Sequence, residues 1–336
     1  MNSYTNIKKW ILLFKAENID NDRIKFKYNN KDIFYNIKSQ FAYYLAGLIE
    51  GDGSIITPKI IKGTKKYNPV IKIVFAEKDL DFGKKILLSL PGGILYKEKG
   101  KYYTLRYNKL SDIYLIIHLI NGKMRTPKVY ALYKLIDWFK YYYNINIEKL
   151  ALDISRINSN SWLSGFLDCD SCFSAFFKVN DSGIATNISC YMRLSQRRFL
   201  SRDKNNILRT KQDFTKINCE SMYSYFPVME SIREFLEVRN IRNIHRIREN
   251  NKLELGYEIR TVRKASNKIL INYLDSYPLF SSKHLDYLNW KTIYEIKINK
   301  SYKKKEMTNK LIELKLSMNN NRTLFNWDHI ENLWTI

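Results

Sequence analysis

Cysteine is scarce in this chain. Four are present in 336 residues, at Cys169, Cys172, Cys190 and Cys219. That count excludes a disulfide scaffold and fits a reduced, intracellular setting. Cys169 and Cys172 have a metal-like spacing, but Cys190 and Cys219 form no second close pair and no nearby His completes a zinc set. They read as two small residues near a helix end. Long apolar runs are also missing. The longest, Ile113 to Ile120, is eight residues and contains His118, far short of the roughly 20 that span a bilayer. The run Trp10 to Phe14 follows Lys8 and Lys9, is closed by Lys15, and is too short for a signal-peptide core. No membrane association and no cleavable address are expected. Acidic residues fall well below basic ones, with 33 Asp and Glu against 57 Lys and Arg and a net charge of +24. An excess of that size points to a polyanionic partner.

What is abundant agrees. There are 25 Tyr, many interleaved with Lys, as in Lys97-Glu98-Lys99-Gly100-Lys101-Tyr102-Tyr103. Lys meets phosphate, and Tyr stacks or hydrogen-bonds, so such stripes suit nucleic acid. The bias towards Asn, Ile, Lys, Tyr and Phe is that of an AT-rich genome.

One segment occurs twice. Leu45-Ala46-Gly47-Leu48-Ile49-Glu50-Gly51-Asp52-Gly53-Ser54 returns as Leu163-Ser164-Gly165-Phe166-Leu167-Asp168-Cys169-Asp170-Ser171-Cys172. Each copy is an apolar helix pattern ending in acidic-x-acidic, followed by a β-like run. A repeat this far apart implies two units of similar plan. The surrounding periodicities agree. Strands are expected at Asn68–Phe75, Ile94–Glu98 and Tyr102–Tyr107, the last two joined around Lys99-Gly100-Lys101. Helices are expected from Asp79, which can serve as N-cap, to Leu90, where Pro91-Gly92-Gly93 stops it, and at Asp112–Leu119 and Lys128–Tyr143. The second half repeats this order: helix Trp162–Asp170, strands Cys172–Val179 and Ile188–Gln196, a basic loop Arg197–Asn218, helix Met222–Leu236, strands Asn243–Arg248 and Leu253–Val262, and helix Ser266–Tyr277. The chain divides into an N-terminal arm (1–40), a first unit (41–143), a linker (144–160), a second unit (161–298) and a tail (299–336). The tail holds a helix at Glu306–Leu316 and ends in Trp327-Asp328-His329, which can pack back on the body.

The fold class is α+β, with two αββαββα units, each an antiparallel sheet with helices on one face. The opposite face would be polar. Arg106 alternates with Leu105 and Tyr107, and Glu258 and Arg260 alternate with Tyr257 and Ile259. A curved basic sheet matches the width of a major groove. The candidate nucleic-acid contacts are Lys72, Lys97, Lys99, Lys101, Arg106, Arg193, Arg197, Arg246, Arg260 and Arg263.

Gly47 and Gly51 lie on one helix face, as do Gly165 and Cys169. Small residues four apart let two backbones approach closely, so the two motif helices should pack together and bring Asp52 near Asp170. Glu50 and Asp52, two apart, cannot point into one site. A negative charge at a helix C-terminus opposes the dipole, and a divalent cation would remove that conflict. Carboxylates with helix-end carbonyls suit Mg2+. The expected metal ligands are Asp52, Asp170, Gly51 and Cys169, with Glu50 and Asp168 in support.

These two segments resemble the motif of the LAGLIDADG homing endonucleases and intron maturases, in the two-motif, single-chain form. Ser171 stands where the family pattern has Gly, and Cys169 where Gly or Ala is common. The resemblance implies a pseudo-symmetric saddle over DNA, with the motif helices packed at its interface. Asp52 and Asp170 would bind Mg2+ and the scissile phosphates as catalytic residues. It also implies a lysine near each site. Tyr277 to Lys283 and Asn121 to Lys128 resemble the loops that bear them, giving Lys283 and Lys128, with Lys97 as a competitor. The implied function is an intron-encoded, monomeric, site-specific double-strand DNA endonuclease of the mitochondrion. The alternatives are an RNA maturase assisting splicing of its own group I intron, alone or in addition, and a DNA-binding regulator without catalysis. Two similar but unequal motifs suit a non-palindromic target.

Overall fold

The computed structural model describes residues 15–20, 23–28, 31–61, 67–90, 92–200, 223–247 and 253–334. Trp10–Phe14, Pro91, Cys219, Met222, Arg248 and the basic loop beyond Leu200 lie outside the described residues. The chain forms two compact units. Unit 1 is Met1–Phe166 with Asp328–Ile336, and unit 2 is Leu167–Trp327.

Unit 1 begins with an antiparallel sheet of β1 (Lys15–Asp20), β2 (Arg23–Tyr28) and β3 (Lys31–Lys38), in that order. No strands are expected in the arm above, yet Arg23-Ile-Lys-Phe-Lys-Tyr28 alternates strictly, which is the period of a strand. Helix α1 (Ser39–Asp52) carries the first motif. It is apolar nearly all round, with Phe41, Ala42, Tyr44, Leu45, Ala46, Leu48 and Ile49 all buried. Such a helix belongs inside. There follow β4 (Gly53–Ile56), β5 (Val70–Ala76), α2 (Leu80–Ser89), β6 (Ile94–Lys97), β7 (Tyr102–Tyr107), α3 (Leu110–Ile120) and α4 (Val129–Tyr143). The strands form one antiparallel sheet in the order β4-β5-β7-β6. Gly100, at φ +118°, makes the β6–β7 turn. Asp79 sits at the N-cap position of α2 but makes no capping side-chain hydrogen bond.

Alternation fixes the faces of this sheet. Ile71, Ile73 and Phe75 of β5 and Leu105 and Tyr107 of β7 are buried. Phe75 meets Phe82 of α2 edge-on at 5.4 Å between ring centres, and Phe82 meets Tyr44 of α1 at 6.4 Å. Each such buried side chain contributes about 1.5–3 kcal/mol over exposure. The tail also ends on this unit, where Glu331 takes an ion pair from Lys85 of α2 at 2.6 Å.

Unit 2 repeats the plan. Helix α5 (Trp162–Asp170), which starts in unit 1, leads to β8 (Ser171–Val179), β9 (Ala185–Arg197), α6 (Phe226–Phe235), β10 (Arg242–Ile247), β11 (Leu253–Arg260) and α7 (Lys264–Ser276). The sheet order is β8-β9-β11-β10, again antiparallel. The order αββαββα therefore holds in both halves. An eighth element follows in each, α4 in unit 1 and α8 (Lys283–Ile298) in unit 2. Helix α8 was not foreseen, although Tyr287, Trp290 and Tyr294 are buried at helical spacing. Helix α9 (Lys305–Leu316) closes the unit. Among the described residues, no helix is long and apolar enough to cross a membrane.

Helix α1 and the first turns of α5 approach backbone to backbone. A Cβ on Gly47 would lie 2.1 Å from the Trp162 carbonyl oxygen, and one on Gly165 would lie 2.1 Å from that of Tyr44. The contact is reciprocal and centred on these two glycines. Gly51 and Cys169 lie a turn further on and are half-buried. Gly47→Ala and Gly165→Ala should each lower unfolding stability by about 1–3 kcal/mol or more through forced separation of the helices. Urea denaturation checks this, and an unchanged midpoint for either variant would contradict the packing.

Candidate functional site

Each motif helix ends in an aspartate, with a lysine folded over its last carbonyls. In unit 1, Asp52 closes α1 and is exposed. The Lys128 ammonium donates to the carbonyls of Ile49 at 2.9 Å, Gly51 at 3.2 Å and Gly53 at 2.9 Å. In unit 2, Asp170 closes α5 and accepts a hydrogen bond from Gln196 Nε2 at 2.9 Å. The Lys283 ammonium donates to the Cys169 carbonyl at 2.5 Å. The ammonium thus meets the negative end of the helix dipole, the place where the sequence argument had put a divalent cation. Both Gly51 and Cys169, expected as metal ligands, have their carbonyls engaged by lysine.

Helix propensity does not explain these lysines. Lys128 is the N-cap of α4 and Lys283 is the first residue of α8. A cation at a helix N-terminus is electrostatically disfavoured. What holds it there is the loop just before it. In unit 1, Glu50 accepts from the backbone N–H of Arg125 at 3.0 Å and of Thr126 at 2.6 Å, from Thr126 Oγ1 at 2.6 Å and from Trp162 Nε1 at 2.6 Å. Thr126 Oγ1 in turn accepts from the backbone N–H of Lys128 at 3.2 Å. In unit 2, Asp168 accepts from the N–H of Phe280 at 2.8 Å, the N–H of Ser281 at 3.2 Å and Ser281 Oγ at 2.5 Å. Ser281 Oγ accepts from the backbone N–H of Lys283 at 3.2 Å. The two networks match bond for bond along the lysine loop.

Glu50 is fully buried. Burial pushes its carboxyl up to about 7, against the pull of the Thr126, Trp162 and Arg125 donors. Arg125 anchors the loop further. Its guanidinium pairs with Asp153 at 2.6 Å, donates to the Ser155 carbonyl at 2.7 Å and lies over the Trp162 ring at 5.5 Å. The departure at Ser171 is also accommodated. A Cβ at Gly53 would come within 2.6 Å of Ile49 backbone. Ser171 carries that Cβ, and its hydroxyl donates to the Leu167 carbonyl at 2.6 Å. In unit 1 the corresponding Ile49 carbonyl is taken by Lys128.

The outward sheet faces carry the basic residues. Lys72 of β5 lies opposite Arg106 of β7, and Arg193 of β9 lies opposite Arg260 of β11. Like charges directly opposed across a ladder destabilise a sheet. A polyanion removes that repulsion. The positions are equivalent, since Lys72 pairs with Ser54 and Arg193 with Cys172, each two residues past its motif aspartate. Arg260 also pairs with the buried Glu258 at 2.6 Å and lies over the Tyr191 ring at 5.3 Å. Lys97, Lys99 and Lys101 sit on the β6–β7 hairpin, and Lys97 pairs with Glu77 at 2.6 Å. Strand β6 is the sheet edge opposite β4, the strand that leaves the motif helix, so Lys97 is poorly placed to compete with Lys128. Arg197 ends β9, Arg246 lies in edge strand β10, and Arg263 is the N-cap of α7. Thr126, Ser281, Trp162 and Gln196 were missed. For the first two a signal existed, a hydroxyl residue two positions before each candidate lysine.

The chain is similar to known proteins. The family model described as LAGLIDADG endonuclease matches residues 45–142 and 216–294. The first match includes the first motif, and the second begins beyond the second motif. The chain is 30% identical over 321 residues to the intron-encoded DNA endonuclease aI3 of Saccharomyces cerevisiae, covering 89% of this chain and 75% of that one. It is 27% identical over 261 residues to an uncharacterized 37.2 kDa protein of cox1 intron 2 of Schizosaccharomyces pombe, covering 77% of this chain and 66% of that one. The solved structure of the LAGLIDADG homing endonuclease I-SmaMI bound to cleaved DNA superposes with a TM-score of 0.58 at 16% identity, over 84% of this chain and 98% of that one. With two motif copies in one polypeptide and the matching pair of four-stranded antiparallel sheets, the chain belongs to the LAGLIDADG endonuclease family.

Proposed function

We propose that this protein is an intron-encoded, site-specific endonuclease that hydrolyses both strands of a long asymmetric duplex DNA site with Mg2+. The observation that carries this reading is the duplicated helix end, an aspartate carboxylate beside a lysine ammonium, once in each unit. Asp52 and Asp170 would hold the ion through their carboxylate oxygens, the Gly51 and Cys169 carbonyls being engaged by Lys128 and Lys283. These are hard oxygen donors, and no cluster of three His, Cys, Asp or Glu stands among the described residues. Mg2+ is commonly held by one or two carboxylates with water and phosphate oxygens completing its shell, so the donor set fits. When bound, the ion would activate water and neutralise charge at the phosphate.

The chain's own residues do the rest. Gln196 orients the Asp170 carboxylate. Lys128 and Lys283, fixed on the helix ends, offset negative charge developing at the phosphate, and they need little reorganisation to do so. The opposed pairs Lys72–Arg106 and Arg193–Arg260 take the DNA backbone or guanine edges. Both carboxylates are in one polypeptide, so the protein acts as a monomer. The AT-biased composition and the likeness to the cox1 intron product support a mitochondrial location.

A second reading, assistance in splicing its own group I intron RNA, is favoured by one feature of unit 2. Phe176, half exposed on the outward face of β8, stacks on Tyr191 at 5.9 Å and 18°, with Arg260 over Tyr191 and Lys315 over Phe176 at 5.6 Å. Aromatic rings flanked by cations bind unstacked bases, at about 1–3 kcal/mol per base.

Three outcomes follow. Asp52→Asn and Asp170→Asn should each cut cleavage of one strand of an intron-free junction by on the order of 100-fold or more. Persistence of Mg2+-dependent double-strand cleavage in either variant would sink the assignment. Duplex affinity should fall steeply with salt, and Lys72→Ala should reduce the slope of log K against log salt by about 1; a flat response would remove the basic sheet from the interface. Phe176→Ala should weaken filter binding of the intron transcript about tenfold while sparing duplex cleavage. Unchanged RNA binding would leave the splicing reading without support.

A further inference from the structure

We infer that Glu50 and Asp168, the earlier acid of each motif, are positioning residues: each fastens the loop that carries its own unit's lysine, and so each governs the cleavage of one strand only. The strand assignment rests on the endonuclease reading. The positioning itself rests on geometry alone.

Several features point the same way. Each acid faces away from its aspartate partner along the helix, since residues two apart lie on different faces. Each takes the two backbone N–H groups and the hydroxyl of an Arg125-Thr126 or Phe280-Ser281 step. Each hydroxyl then accepts from the backbone N–H of the lysine two residues on. The chain is thereby pinned one step before an ammonium that must reach back to the carbonyls of Ile49, Gly51 and Gly53, or of Cys169. A carboxylate buried merely for stability is a poor choice. Exchange of a buried charge network for apolar residues is often neutral or stabilising. A buried charge set twice, on the same two backbone donors and the same hydroxyl, is better explained by the group it aims. The two clamped loops belong to different units. Glu50, one methylene longer than Asp168, also accepts from Trp162 Nε1 at 2.6 Å; the Arg125-Thr126 step it holds lies in unit 1, and the Phe280-Ser281 step held by Asp168 lies in unit 2.

The test uses the full chain and two readouts. The first needs no DNA: modification by an amine-acylating reagent, read at Lys128 and Lys283 by mass spectrometry. In Glu50→Gln the amide turns an N–H2 toward donors and loses the clamp. Lys128 should then react about tenfold faster, with Lys283 unchanged, and Asp168→Asn should do the reverse. Glu50→Asp, which keeps the charge, should restore part of the protection. The second readout is a supercoiled plasmid bearing the intron-free junction. Glu50→Gln and Asp168→Asn should each accumulate nicked circles, on opposite strands, with duplex affinity within about twofold of wild type. Unchanged Lys128 reactivity in Glu50→Gln overturns the proposal. So does a rise at both lysines together with a fallen thermal midpoint, which marks an acid that only holds the fold. If the labelling pattern appears but wild type cuts no strand, the endonuclease reading fails and the positioning role stands.

Discussion

A helix that ends in a carboxylate has an electrostatic conflict at that end, and the rest of this structure is arranged around it. The last carbonyls of α1 and α5 present negative potential, and Asp52 and Asp170 add to it. A lysine ammonium folded onto those carbonyls relieves the conflict. Such an ammonium can only come from a loop that is fixed in place, and fixing a loop requires that its backbone donors be satisfied. The buried acid two residues before each aspartate satisfies them. One turn of helix therefore supplies an acceptor for the loop on one face, carbonyls for the lysine at its end, and a carboxylate beyond. Function at the tip and packing behind it cannot be varied separately.

Packing sets how much of that turn is tolerable inside the protein. Helix α1 is buried on nearly every side, so Glu50 is cut off from water and burial alone would drive it to the neutral form. Donors from Arg125, Thr126 and Trp162 oppose this. Trp162 belongs to the stretch of α5 that meets Gly47, and its carbonyl oxygen is the atom a Cβ at position 47 would strike. The same residue thus supplies the close helix contact and one of the clamp's donors. Loss of the glycine contact would move the donor, and the consequences of a packing defect there would reach the lysine loop.

Much of this was legible in the sequence, for identifiable reasons. The β-like patterns of Asn68–Phe75 and Tyr102–Tyr107 and helical spacing in Leu45–Ile49 located strands of the sheet and the motif helix. The repeat located the second unit. The glycines announced a close approach, and the structure narrows it to Gly47 and Gly165. The sequence argument failed where a carbonyl had to be matched with a cation. Helix-end electrostatics pointed to a metal, and Lys128 and Lys283 came only from the family resemblance, because Lys128 is 77 positions from Gly51 and no local pattern links the two. No helix was expected at α8, although Tyr287, Trp290 and Tyr294 of Lys283–Ile298, all buried, fall at helical spacing. Of the strands in residues 15–38, Arg23–Tyr28 carries a strict alternation, whereas Lys15–Asp20 and Lys31–Lys38 do not.

The two halves are equal in plan and unequal in detail, and the inequality begins with one side chain. Gly53 leaves the Ile49 carbonyl open, and Lys128 spreads over three carbonyls. Ser171 turns its hydroxyl onto the corresponding Leu167 carbonyl, and Lys283 is drawn to Cys169 at the shorter distance of 2.5 Å. The sheets diverge in the same way. The row Lys72–Arg106 is bare, whereas in unit 2 Glu258 partly compensates Arg260, and Phe176 and Tyr191 extend an aromatic surface beside it. The two faces differ in charge, in aromatic surface and in the seating of their lysines, and each difference can be traced to particular residues in one copy of the repeat.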